Sequence, residues 1–533
     1  MRFAFLFESM PLPFLTLLFP FIGAMLCSGL LLYNRFLSRR FGHALVLPKV
    51  VYKLPFLALL VLDVIFSYII WSRVTGPSAP VYVLTARGWT TALSGEAAAN
   101  LLTVFRIDPF SAVSAALMNF VALTAGICAL ADKKNIITPR KTAFFLFTCT
   151  GIQGIFYSNG LYLLTLFMAL TQFGVTGLYS NFETKKKPGG ESVYYYISRV
   201  TMLVMFFAGV LTLKFEYGTD NINVLASRIV SSGPSLAAFI LLAAPMLYLF
   251  IKPSPYLPDA SRNCFFGIRT QASLFVVFRI IFSIYGPMDG LQKVPYLFIM
   301  LGFALILLAV FLSCAVKDPA AFMNSVVMYM KGMVLAAIGI AMHGVFGAER
   351  AALYGVSALE GMILLWLVFL PITAALAVIT VYLKQEGGGV EMWRGGALLD
   401  RAPMVAVTLF LLAAMVSGLP PFIGYSGKQL LFRSANFINP LVFVFLFIFT
   451  VLMLLTSLRF LVSLMTGGRS PGSEFVFSGE ATIALPLILL LTLFVGATML
   501  PGALYEESVA PSVEALINRT APDSSGAAEA SVK

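Results

Sequence analysis

The chain has 533 residues, 59% of them hydrophobic and only 11% charged, with a mean hydropathy of +0.91. That composition excludes a soluble globular domain and a disordered chain, and describes a polytopic all-α membrane protein. The formal net charge of +12 is scattered through short loops between apolar stretches, so membrane orientation accounts for it and no nucleic-acid partner is expected. Five cysteines (Cys27, Cys128, Cys149, Cys264 and Cys314) contain no CxxC pair and lie in or beside apolar segments, reading as buried thiols. With His43 and His343 as the only histidines, neither iron–sulfur cluster, structural zinc nor haem is expected, and the chain is read as free of metal and cofactor.

Fourteen apolar spans are predicted, at about 12–33, 52–71, 109–131, 142–158, 160–181, 194–213, 235–252, 266–286, 295–315, 322–345, 352–383, 404–431, 440–464 and 481–500. Pro11, Pro13 and Pro20, with no small-residue cleavage site, make the first a retained helix rather than a signal peptide. Loops after odd-numbered spans are rich in basic residues: Arg35, Arg39, Arg40, Lys49 and Lys53 in the first, Lys133, Lys134, Arg140 and Lys141 in the second. Lys185, Lys186 and Lys187, then Lys384, Arg394 and Arg401, continue the pattern, whereas the loops after even-numbered spans are poorer. The excess of Lys and Arg predicts that both termini lie on the non-cytoplasmic side. Residues 73–108, with alternating apolar residues around Arg87-Gly88, predict a small external hairpin. Residues 384–403 are a Gly-rich connection, the tail after Gly502 is expected to be mobile, and the Asn518-Arg519-Thr520 sequon is read as a chance match.

The chemistry concentrates in Ser417-Gly418-Leu419-Pro420-Pro421-Phe422-Ile423-Gly424-Tyr425-Ser426-Gly427-Lys428, inside the twelfth span. Adjacent prolines remove two backbone donors and clash with the preceding turn, so the helix is expected to break there. A broken helix at membrane depth is tolerated only where protein or a watery cavity satisfies the freed groups. Lys428 follows directly, a charge that is costly in hydrocarbon; its rival reading is a lysine snorkelling to the interface. The seventh span holds Pro245 and leaves through Lys252-Pro253-Ser254-Pro255. Proline-interrupted helices at matching places in two halves predict inverted repeats, five helices each, with helices seven and twelve broken.

These stretches resemble the antiporter-like subunits of respiratory complex I, of Mrp-type sodium/proton antiporters and of membrane-bound hydrogenases. Ser417 to Leu430 resembles the family's broken twelfth helix. Phe105-Arg106-Ile107-Asp108-Pro109-Phe110-Ser111 resembles the start of its third helix, Tyr256-Leu257-Pro258-Asp259-Ala260 its turn between helices seven and eight, and Leu458-Arg459-Phe460 its arginine late in helix thirteen. The resemblance spans roughly residues 100 to 465. It implies an integral protein of a bacterial or archaeal inner membrane, other membrane subunits as partners, and protons or sodium ions moved along buried charges. Electron transfer would then belong to partner subunits. In the family a carboxylate beside a lysine favours the protonated lysine, and moving that charge away lets the desolvated lysine release its proton.

The chain departs from that pattern at several positions. Gln172 stands where the family has a glutamate on helix five, the helix-seven lysine position falls near Leu247, and the helix-eight cation falls at Arg279, which holds its proton. Lys428 is therefore read as the titrating group, Arg279 as tuning it, and Glu360 or Lys331 as a counter-charge. Glu360 and Lys331 carry functional and structural readings alike, with Lys331 or Lys428 as partners for Glu360. His343 reads more readily as a packed or interfacial histidine than as a proton carrier. Asp63 is alone on the second span and is read as facing a partner subunit; Arg199 and Arg459 are read as snorkelling. The expected organisation is 1–108 (two helices and an external loop), 109–141 (helix three), 142–286 (first repeat), 287–466 (second repeat) and 467–533 (helix fourteen and tail). The functional expectation is an ion-translocating subunit of a complex I-related assembly. The rivals are a non-pumping structural subunit and a free-standing secondary transporter.

Overall fold

The computed structural model describes residues 12–41, 49–74, 81–85, 88–92, 105–131, 138–179, 190–252, 260–286, 291–346, 349–386, 398–466, 480–499 and 501–517. The first helices are α1 (Leu12–Phe41) and α2 (Lys49–Val74). After them β1 (Val81–Thr85) and β2 (Gly88–Ala92) form the expected hairpin, pairing Val81 with Ala92 and Thr85 with Gly88. A third strand, β3 (Phe105–Ile107), adds antiparallel to β1 and sets Arg106 opposite Val83. Its residues belong to the motif read as the start of helix three, so that motif is part sheet and part helix.

The chain continues through α3 (Pro109–Ala131), α4 (Pro139–Tyr157), α5 (Leu161–Tyr179) and α6 (Gly190–Tyr217). A short α7 (Ile222–Ser232) escaped the hydropathy reading because only one stripe of it, Ile222, Leu225, Ala226 and Ile229, is buried. Asn221 caps its start and Gly233, at φ 87°, ends it. Next come α8 (Leu236–Ile251) and α9 (Ala260–Phe278), the latter continuing as a π-helical turn over Arg279–Tyr285. The expectation of a broken seventh helix is corrected here: α8 runs through Pro245 without interruption. A single proline removes one hydrogen bond, which a buried helix absorbs by bending.

The second half comprises α10 (Val294–Ala315), α11 (Pro319–Val345), α12 (Glu349–Glu386), α13 (Pro403–Ser417), α14 (Ile423–Ile438), α15 (Pro440–Thr466) and α16 (Glu480–Met499). Each predicted apolar span falls on a helix, the twelfth on the pair α13 and α14. Among the described residues ten helices are long and apolar enough to cross a membrane, and α8, α13 and part of α16 are shorter apolar helices. The protein is an integral membrane protein.

The apolar windows of α12, of α9 with its π turn, and of α11 are 100%, 94% and 89% buried within the chain, against 28% for α6 and α15. The first three are therefore the centre and the last two face outward. Small residues let neighbouring helices touch. A Cβ on Gly302 of α10 would sit 2.5 Å from the Ala336 nitrogen of α11, the close backbone approach that drives packing where lipid offers no hydrophobic contrast.

Three smaller expectations change. The chain after Gly502 is helical to Ile517: Pro501–Leu504, a π turn at Tyr505–Val509, and α17 (Ala510–Ile517). It buries Val509, Val513 and Leu516, so residues 503–517 are not the mobile tail expected there. Cys128, Cys149 and Cys264 are buried as expected, but Cys314, at the end of α10, is exposed. The turn read at Tyr256 to Asp259, the sequon at Asn518 and most of the 384–403 connection lie outside the described residues.

Candidate functional site

α13 ends at Ser417 and Gly418 turns left-handed, at φ 71°. In an α-helix the Val416 carbonyl would accept from the N–H of residue 420 and that of Ser417 from residue 421; both are prolines and have none. The break therefore strands two carbonyls at the negative end of a helix. α14 begins at Ile423 and returns Lys428 to the gap. The Lys428 ammonium donates to the Val416 carbonyl at 2.5 Å and to the Tyr329 hydroxyl at 3.1 Å. The lysine is 2% exposed. Its stem lies against Gly418, where an added Cβ would come within 2.7 Å of the Lys428 Cδ. Snorkelling is thereby excluded for this side chain.

Tyr329, on α11, extends the site. Its ring sits 5.0 Å below the ammonium, and its hydroxyl shares a hydrogen bond of 2.8 Å with Thr450 of α15. Ammonium, phenol and threonine hydroxyl thus form a chain of exchangeable protons from α14 to α15.

Lys331, two residues along α11 from Tyr329, repeats the motif on the other side. It is 3% exposed, donates to the Lys252 carbonyl at the end of α8 at 3.2 Å, and lies 5.7 Å from the Phe250 ring. Each buried lysine therefore caps the C-terminal end of a helix, α13 for Lys428 and α8 for Lys331, and α11 links the two. Arg199 and Arg269 are near enough for their charges to act on Lys331. Arg199 is 3% exposed, so the expectation that it snorkels is corrected; Arg459 is exposed and donates to the Cys314 carbonyl at 3.4 Å.

The other candidates are not gathered here. Arg279 binds Asp108 through two hydrogen bonds, 2.8 and 2.9 Å, and donates to Ser111 at 2.5 Å. Its role as the group tuning Lys428 gives way to a buried ion pair, bidentate in form, tying α3 to the π turn. Glu360 of α12 accepts from Tyr505 at 2.6 Å. No described ion pair joins it to Lys331 or Lys428, the partners expected for it. Burial and that carboxylate push the Tyr505 phenol up to about 12, so it remains a donor. His343, partly buried, shares a 2.9 Å hydrogen bond with the exposed Tyr296. Gln172 lies partly buried on α5, its Oε1 enclosed without a donor. Pro245 is buried within α8; Pro420 and Pro421 are exposed at the break. Among the described residues no three His, Cys, Asp or Glu side chains cluster to hold a metal.

No family model matches the sequence. Over 341 residues the chain is 23% identical to a subunit of the Na(+)/H(+) antiporter of Bacillus subtilis, covering 61% of this chain and 65% of that protein. It is 23% identical over 349 residues to a putative antiporter subunit, mnhD2, of Staphylococcus aureus, covering 63% and 66% respectively. The matches thus span just under two thirds of those relatives. The fold is similar to a chain of the Mrp complex from Dietzia sp. DQ12-45-1b, with a TM-score of 0.76 at 17% identity over 96% of this chain and 98% of that one. It is also similar to a chain of respiratory complex I from Thermus thermophilus, with a TM-score of 0.67 at 16% identity over 95% and 99%. Both neighbours are chains of complexes. The resemblance carried by the motifs is matched by sequence relatives and by the fold.

Proposed function

We infer that this chain, which resembles the antiporter-like subunits in sequence and in fold, moves protons or sodium ions as one membrane subunit of a complex I-related assembly. The observation that carries this reading is the buried Lys428 ammonium on the carbonyl stranded by Pro420. The site supplies what a buried proton carrier needs: a dischargeable amine, a polar partner at a broken helix end, and hydroxyls within hydrogen-bond reach. When the Val416 carbonyl withdraws, the ammonium loses its strongest support and releases a proton towards Tyr329; its return recaptures one. Lys331 of the second half, on the Lys252 carbonyl of the first, serves as the matching station between the halves. Both termini lie outside the cytoplasm in this reading, and the two halves are the inverted repeats 142–286 and 287–466.

A structural, non-pumping role is the alternative. It is favoured by Gln172 in place of a glutamate, and by the lack of any carboxylate ion-paired with Lys331 or Lys428 among the described residues. Ion uptake by vesicles carrying the assembled complex separates the two. Lys428→Ala is expected to abolish uptake while subunits still co-purify, and Gln172→Ala to change it little; undiminished uptake in the Lys428 variant assigns the chain to the structural role.

A further inference from the structure

A second buried polar cluster lies among α1 to α4, away from the lysines. Asp63 stands midway along α2 and is 1% exposed, facing inward rather than towards a partner subunit as its isolation in the sequence implied. Neither carboxylate oxygen has a hydrogen-bond partner. Among the described residues no basic side chain pairs with Asp63, and the basic residues of these four helices lie towards helix ends in the sequence. Ser67, one turn on, accepts from the Asn119 amide of α3 at 2.5 Å, and the same amide reaches the Asp63 carbonyl at 3.5 Å. Asn119 Oδ1 in turn accepts from Gln153 of α4 at 2.7 Å. The amide donors are thereby engaged, while Gln153 Oε1 is buried and accepts nothing.

Cys149, Gln153 and Tyr157 recur at four-residue spacing and share one face of α4. Cys149 and Tyr157 are titratable groups close to Asp63. The Tyr157 hydroxyl is buried beside the Thr16 and Ser67 hydroxyls without a well-formed hydrogen bond to either. The Asp63 carboxyl of α2 and the Gln153 Oε1 and Tyr157 hydroxyl of α4 are thus buried oxygens whose partners are missing, beside the satisfied Thr16 and Asn119. An ionised, unpaired carboxylate in such a place costs several kcal/mol, and hard oxygen ligands suit a proton or an alkali cation rather than a soft metal.

We propose that Asp63, with Gln153, Tyr157 and Ser67, forms a second cation site within the membrane, occupied by a proton or by Na+ at the Asp63 carboxyl. It is separate from Lys428: among the described residues neither shares a hydrogen-bond partner with the other.

Dicyclohexylcarbodiimide, which adds to buried protonated carboxyls, tests it on the assembled complex in Na+-free choline buffer. Mass spectrometry is expected to find the adduct on Asp63, and infrared spectra to show a protonated-carboxyl band that Asp63→Asn removes. Lys428→Ala leaves both unchanged, which separates this site from the lysine. Na+ at about ten times its dissociation constant slows labelling roughly tenfold by mass action if Na+ competes; unaltered labelling assigns the site to the proton alone. If wild-type Asp63 gives neither adduct nor band, and added Na+ changes neither the spectrum nor the thermal midpoint relative to Asp63→Asn, the proposal is overturned.

Discussion

Pro420 and Lys428 are two halves of one arrangement: the first removes the donor that the Val416 carbonyl would have had, and the second replaces it with a charge. Half of this was readable in advance. The proline positions name the stranded carbonyls by counting back four residues, and Lys428 is the cation that follows. Tyr329 and Thr450 were not readable, because a tyrosine and a threonine in apolar helices look like ordinary core residues until tertiary packing brings them to the ammonium. The Asp108–Arg279 pair escaped for the same reason, its members being 171 positions apart. Two predictions belong at this scale. Tyr329→Phe removes a hydrogen bond to a charged group, a contribution of about 1.5–3 kcal/mol; initial rates of ion uptake are expected to fall roughly tenfold or more, and wild-type rates would show that the hydroxyl chain is not used. Gly418→Ala strains a left-handed residue and presses on the Lys428 stem, so it is expected to lower uptake, whereas Gly233→Ala, also at positive φ but with open space around it, is expected to cost stability alone.

Among the elements, two adjacent prolines broke a helix and one did not. The difference is physical: a lone missing hydrogen bond is absorbed by curvature, whereas two in succession together with a left-handed glycine leave no helical path. Pro420→Ala restores the N–H that the Val416 carbonyl lacks, so the backbone competes with the ammonium. Uptake is expected to drop while the complex still assembles; normal uptake would mean that the stranded carbonyl is not what holds Lys428. The Asp108–Arg279 pair joins α3 to the π turn after α9. Breaking a buried pair by removing one partner costs about 3–5 kcal/mol. Asp108→Ala and Arg279→Ala are each expected to lower the thermal midpoint clearly and the double variant to cost less than their sum; a loss of about 0.5 kcal/mol or less, as for surface changes, would contradict a structural role.

For the whole molecule, hydropathy revealed where helices lie but not which of them occupy the centre. α10 and α12 read alike as apolar runs, yet the window of one is 44% buried within the chain and that of the other 100%. Apolar composition cannot distinguish a lipid-facing helix from an enclosed one, since lipid and protein interior are equally apolar. The outward helices, α6 and α15 above all, are the surfaces left for lipid or for neighbouring subunits. The most direct measurement of the central claim is ion uptake by vesicles carrying the assembled complex with Lys428→Arg. Arginine keeps the charge and can still donate to the Val416 carbonyl, but it does not release its proton. The account predicts a complex that assembles like the wild type and moves no ions; uptake at the wild-type rate would contradict it.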